Sequence, residues 1–161
     1  MTQDECGKKM IHEISEYLTA IERQRAKIFA LLESAPRESW NWTPTDDETN
    51  SLFVIATHVI GSEHGWIFEI LGRGEHTRNR PAEFSARGDS LDALRAEYER
   101  VAKQTREMFE TLTEQDLTTT RYRESHGDVS ARWIVLHVIE HSSEHLGQME
   151  LTKQLWQKQV P

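Results

Sequence analysis

Residues 133–148 read WIVLHVIEHSSEHLGQ and decide the fold. Ile134, Val138 and Met149 recur at helical spacing, and with Trp156 they mark the centre of an apolar stripe. A helix turns ~100° per residue, which places His145 within ~20° of that centre and His141 within ~40–60°. His137 stands ~80° off, beside Trp133 and Leu151. The segment is therefore an amphipathic helix, from about Ser130 to Gln157, that carries histidines towards its apolar side. Ser130 is its expected N-cap.

Three further segments share this period. The first runs from about Met10 to Ser34, with Ile14, Leu18, Ile21, Ile28 and Leu32 in phase. The second runs from about Ser51 to Leu71. The third runs from about Leu91 to Leu112, with Leu91, Leu94, Tyr98, Val101, Met108 and Leu112 in phase. Two prolines and a polar run separate the first two. A loop of roughly 18 residues, starting at Gly72, separates the second and third; it is long enough for a crossover or a pocket rim. Four amphipathic helices in 161 residues predict an all-α four-helix bundle, one domain over residues 1–161, with a long connection between helices 2 and 3.

Composition narrows the function. The net charge is −8, so phosphate backbones are repelled and nucleic-acid binding is not expected. The Arg-bearing stretches RGEHTRNR and TRYR are read as loops. No run of 18 apolar residues predicts a membrane span. MTQDECGKKM lacks the apolar core of a signal peptide, so a cytoplasmic location is expected. Cys6 is the single cysteine, which leaves no internal disulfide and no Cys-rich metal site. A metal site would use His, Asp or Glu.

Histidines at i and i+4 lie one turn apart, ~6 Å along the axis, and can lean onto one ion. His137 and His145 are ~12 Å apart, too far for joint coordination. One ion thus takes one neighbouring pair from this helix, and a third ligand comes from elsewhere. His58 and His64 lie on opposite margins of the second helix's stripe. Geometry does not choose between them, although His58 shares its edge with Ser51, Ser62 and Glu69, a polar strip suited to a pocket wall. A satisfied interior histidine is the bland alternative, and no Glu sits between the helix-four pair as in H-E-x-x-H.

Two charges fall inside apolar stripes: Arg25 on helix 1 and Glu63 on helix 2, the latter among Ile55, Val59, Trp66 and Ile70. Buried charges persist when paired, so these two are expected to pair. Glu144 is read as a solvated charge, with a hydrogen bond to a ligand or a bound water as its alternative.

LHVIEHSSEHLGQM (136–149) resembles the final-helix signature of the DinB/YfiT-like superfamily, roughly H-x3-H-x3-H-x-G-Q. NWTP (41–44) and HVIGSEHGW (58–66) resemble that family's lead-in and its H-x4-E-x2-W pattern. The resemblance runs from about Ile11 to Trp156. It implies a four-helix bundle with a divalent metal, often zinc or nickel, on three histidines. The matching positions are His58, His141 and His145, with His137 at a common but non-ligating position. Leu146 stands where an Arg often precedes the Gly-Gln. The resemblance further implies a metal-dependent enzyme, foremost a thiol-dependent S-transferase using a low-molecular-weight thiol, with a small-molecule substrate. A hydrolase or isomerase, or a non-catalytic metal- or ligand-binding stress protein, is the alternative. A homodimer is also consistent with such a bundle.

Overall fold

The structure is a computed structural model that describes residues 10–45 and 49–159. Its main helices are α1 (His12–Ser34), α2 (Leu52–Glu63), α4 (Asp92–Thr111) and α5 (Ala131–Gln159). A short α3 (Arg80–Phe84) lies in the long connection, and a two-stranded hairpin, β1 (Thr120–Arg123) and β2 (Gly127–Ser130), precedes α5. The four long helices pack as a bundle, with α1 against α5 its most extensive pairing. Among the described residues, no helix is long and apolar enough to cross a membrane.

Local sequence explains the helix ends. Ser51 Oγ accepts from Val54 N at 3.2 Å and opens α2. Ser130 Oγ accepts from Trp133 N at 3.1 Å and opens α5, as its sequence predicts. Asn79 Oδ1 accepts from Ala82 N at 3.2 Å and opens α3. The buried set of α1 is Ile14, Leu18, Ile21, Ile28 and Leu32, the stripe read from its period.

The second helix does not end at Glu63. It continues as π-helical turns over His64–Leu71, closed by a bond from Gly72 N to Ile67 O at 2.9 Å. The wider turn aligns residues five apart, and His64 Nε2 lies 3.6 Å from Glu69 Oε1.

The apolar core forms two clusters. One gathers Ile14, Leu18, Ile21, Trp66, Ile67, Phe109, Ile134 and Val138. The other gathers Ile28, Leu32, Ile55, Val59, Ile60, Tyr98, Val101 and Met149. On α1, Arg25 falls between the two, as do Glu63 on the second helix and Thr105 on α4. Arg25 Nε donates to Glu63 Oε2 at 3.1 Å, and Arg25 Nη2 also pairs with Glu63 Oε1. Thr105 Oγ1 donates to Glu63 Oε1 at 2.6 Å. The expected pair is therefore present, with side-chain exposures of 11% and 2%. Its bidentate geometry and the extra hydroxyl offset the desolvation of both charges.

Three expectations need adjustment. TRYR is a strand rather than a loop, paired antiparallel with Gly127–Ser130. Its inward positions are Arg121 and Arg123, so no apolar alternation announces it. The long connection is not structureless, because α3 interrupts it. On α5 the buried stripe runs through Ala131, Ile134, Val135, Val138, Ser142, Met149 and Thr152. Trp156, His141 and His145 are only half-buried, so the stripe's centre lies further towards Val135 and Ser142 than the sequence estimate placed it.

Candidate metal centre

α2 supplies His58, and successive turns of α5 supply His141 and His145. One ligand atom from each lies within 4.8 Å of the others. His141 Nε2 is 3.2 Å from His58 Nε2 and 3.2 Å from His145 Nε2. A tetrahedron with metal–nitrogen bonds of ~2.0–2.1 Å has edges of about 3.3 Å, so both separations suit one small ion.

The outer ring atoms are fixed. His58 Nδ1 donates to Glu83 Oε2 at 2.8 Å, and His145 Nδ1 donates to Gln148 Oε1 at 2.7 Å. Their Nε2 atoms therefore carry lone pairs and face His141 Nε2. A proton on His141 Nε2 satisfies one of the two contacts. The other acceptor nitrogen is then left facing the same N–H nitrogen without a hydrogen of its own. A cation would satisfy all three nitrogens at once, and an all-imidazole donor set suits a divalent transition metal.

Electrostatics favour the neutral form of His141 and His145. Burial, reinforced by His145 and His58, pushes the His141 imidazole down to about 3. Burial also lowers His145. Neutral imidazole is the metal-binding form.

The support around His58 comes from the long connection. Arg78 Nε and Nη2 donate to Glu83 Oε1 and Oε2 at 2.6 and 2.8 Å. Burial pushes the Glu83 carboxyl up, but the bonds from Arg78 and His58 outweigh it and hold it below the usual range. This pair lies against two glycines on the second helix. A Cβ at Gly61 would overlap Glu83 Oε1, and one at Gly65 would come 2.8 Å from Arg78 Cδ. Mid-helix glycine costs roughly 1 kcal/mol relative to alanine, and here it permits close approach of the chain. Glu83 and Arg78 were not anticipated from the sequence. The glycines one turn apart, three and seven residues after His58, were the available signal.

The remaining histidines lie elsewhere. His64 is buried, with Nδ1 3.2 Å from Gln104 Oε1 and Nε2 3.1 Å from Thr77 Oγ1. His76 is exposed and reaches Glu69 Oε2 at 3.3 Å. His12 is exposed beside Glu16. His137 stacks on Trp133 with ring centroids 4.8 Å apart and meets Trp66 edge-on at 4.8 Å. His126 joins this group, 5.1 Å from Trp66. His137 thus flanks the cluster, its ring 5.8 Å from that of His141. Glu144 is exposed. Cys6 lies outside the described residues.

Solved structures share this architecture. A conserved protein from Enterococcus faecalis superposes with a TM-score of 0.73 at 13% identity, covering 90% of this chain and 97% of its own. A DinB-like protein from Bacillus cereus superposes with a TM-score of 0.70 at 18% identity, covering 87% and 90%. Among proteins of curated function, none matches the sequence significantly. The model of the DinB superfamily matches residues 20–149, which take in α2, the π-helical turns and all three clustered histidines. This chain belongs to the DinB superfamily.

Proposed function

We propose that the chain is a divalent-metal-dependent enzyme, and that its reaction is transfer of a low-molecular-weight thiol onto a small electrophile. The observation that carries this reading is the convergence of three imidazole nitrogens, with the outer ring atoms of His58 and His145 already anchored by Glu83 and Gln148. His58, His141 and His145 would hold the ion, zinc or nickel. Three protein ligands leave a position open, as in catalytic rather than structural zinc sites. When bound, the ion supplies a Lewis acid that favours thiolate over thiol at neutral pH.

The chain's own residues do the rest. Glu83 and Gln148 fix ring tautomer and orientation, which raises ligand basicity. Arg78 holds Glu83 ionised. The rings of Trp66, Trp133 and His137 pack together next to His141 and line one flank of the cluster. The single cysteine of the sequence lies near its start, so the reacting sulfur is assigned to a small molecule.

The test is a panel of small thiols against alkyl halides and epoxides, run on metal-loaded and metal-stripped protein. Thioether formation that requires metal and is lost in His141→Ala supports the reading. Full metal occupancy without turnover for any pair assigns the chain to non-catalytic metal binding instead.

A further inference from the structure

One buried carboxylate on the second helix makes no hydrogen bond to the cluster, yet holds the segment that supports it. Glu69 lies on the π-helical turns and is buried. Its Oε1 accepts from two consecutive backbone amides, Thr77 N and Arg78 N, both at 2.7 Å. Exposed His76 approaches Oε2 at 3.3 Å. Burial pushes the Glu69 carboxyl up, but the bonds from Arg78 N, Thr77 N and His76 outweigh it and hold it below the usual range. The acceptor is therefore ionised, and bonds from amides to a carboxylate are the stronger kind.

The gripped segment carries the support of His58. Arg78 Nε and Nη2 hold both oxygens of Glu83, and Glu83 Oε2 accepts from His58 Nδ1. Asn79, the next residue, caps α3, the helix on which Glu83 lies. Fixing the Arg78 amide thus sets the origin of the guanidinium and the start of α3 together. The second helix leaves room for this, since a Cβ at Gly65 would come 2.8 Å from Arg78 Cδ. His64 adds a hold of a different kind. Its Nε2 lies 3.1 Å from Thr77 Oγ1, and its Nδ1 meets Gln104 Oε1 on α4. That contact fastens the Thr77 side chain and leaves the Arg78 amide to Glu69.

The π-helical turns explain how one helix does both jobs. Bonding from i to i+5 brings Glu69 towards the side that carries His64, 3.6 Å from its Nε2. The same helix thus presents His58 to the cluster and Glu69 to the segment that returns to brace His58.

We infer that Glu69 is a positioning residue for the candidate metal centre, acting through Arg78 and Glu83 on the ring of His58. Its effect on metal binding rests on the proposed function; its effect on the His58 ring does not.

The test uses the full chain as Glu69→Gln, Glu83→Ala and the double variant. Glu69→Gln keeps the shape but replaces one acceptor oxygen with a donor amide. Imidazole nitrogen resonances of metal-free protein report the His58 tautomer, and competition with a chromophoric chelator reports zinc affinity. Wild type should hold His58 with its proton on Nδ1, and Glu69→Gln should shift it measurably towards Nε2. Zinc affinity should fall roughly tenfold in Glu69→Gln. With Glu83→Ala already present, Glu69→Gln should cost less than about twofold, because a residue acting through Glu83 has nothing left to act on. Equal losses in both backgrounds, or an unchanged His58 tautomer in Glu69→Gln, overturn the inference. So does a lower denaturation midpoint with wild-type tautomer and zinc affinity, which would mean that Glu69 fastens the connection and nothing more. If Glu69→Gln does not fold, Glu69→Asp, which keeps the charge but draws it back from the two amides, is judged by the same readouts. Wild type that takes up no zinc removes the proposed function, and the His58 tautomer then decides this inference alone.

Discussion

His58 Nδ1 and Glu83 Oε2 meet at 2.8 Å across 25 residues of sequence, joining α2 to the short helix α3. This contact turns the His58 ring so that its other nitrogen faces His141. Removing such an outer partner typically lowers metal affinity 10–100-fold. Glu83→Gln should lower zinc affinity by about that factor, measured by competition with a chromophoric chelator. Unchanged affinity would mean that α2 alone orients His58.

Gly61 gives a second approach to the same contact. Gly61→Ala raises intrinsic helix propensity by roughly 1 kcal/mol, yet its methyl would displace Glu83. The expected result is weaker zinc binding with at most a small change in thermal stability. Zinc binding as tight as wild type in Gly61→Ala and Gly61→Ser would show that Glu83 has room to retreat.

The Arg25–Glu63 pair makes a prediction about stability alone. Breaking a buried pair leaves an uncompensated charge and costs about 3–5 kcal/mol. Glu63→Leu and Arg25→Met should each lose stability on that scale in chemical denaturation. The double substitution should recover much of it, because the layer then becomes apolar between two apolar clusters. Additive losses in the double variant would contradict pairing as the source of the cost.

The histidines give the metal-free protein a pH dependence. Burial pushes His141 down to about 3 and lowers His137 and His145. Histidine in the unfolded chain titrates near ~6.5. Between those values the unfolded state binds protons that the folded state does not, so stability rises with pH. Metal-free protein should therefore lose thermal stability as pH falls from about 7 to 5, above the range where Glu69 and Glu83 protonate. His141→Leu should flatten that slope. A wild-type melting temperature constant over this interval would contradict it.

The parts legible in sequence are those set by local periodicity. α1 buries the five residues its spacing selects, and Ser130 caps α5 where an N-cap was expected. The choice of His58 over His64 was not legible from spacing, since both sit on stripe margins; the polar strip of Ser51, Ser62 and Glu69 favoured His58 mildly, and the family resemblance decided it. What separates them is non-local: His64 meets Gln104 on α4 and Thr77, while His58 faces α5. Glu83 and Arg78 stayed hidden for the same reason, because nothing local places α3 against Gly61. The hairpin was missed because its inward side chains are arginines. Trp156 misled the reading of α5, since it is a large apolar residue that this bundle leaves half-exposed.

The central claim is that His58, His141 and His145 hold one divalent ion. Its most direct measurement is elemental analysis of untagged protein, before and after zinc or nickel is added and excess removed. The account predicts about one equivalent of metal per chain in wild type, and loss of retention in His58→Ala, His141→Ala and His145→Ala, but not in His64→Ala. Less than about 0.2 equivalents in wild type after loading, or full retention in His141→Ala, would contradict it.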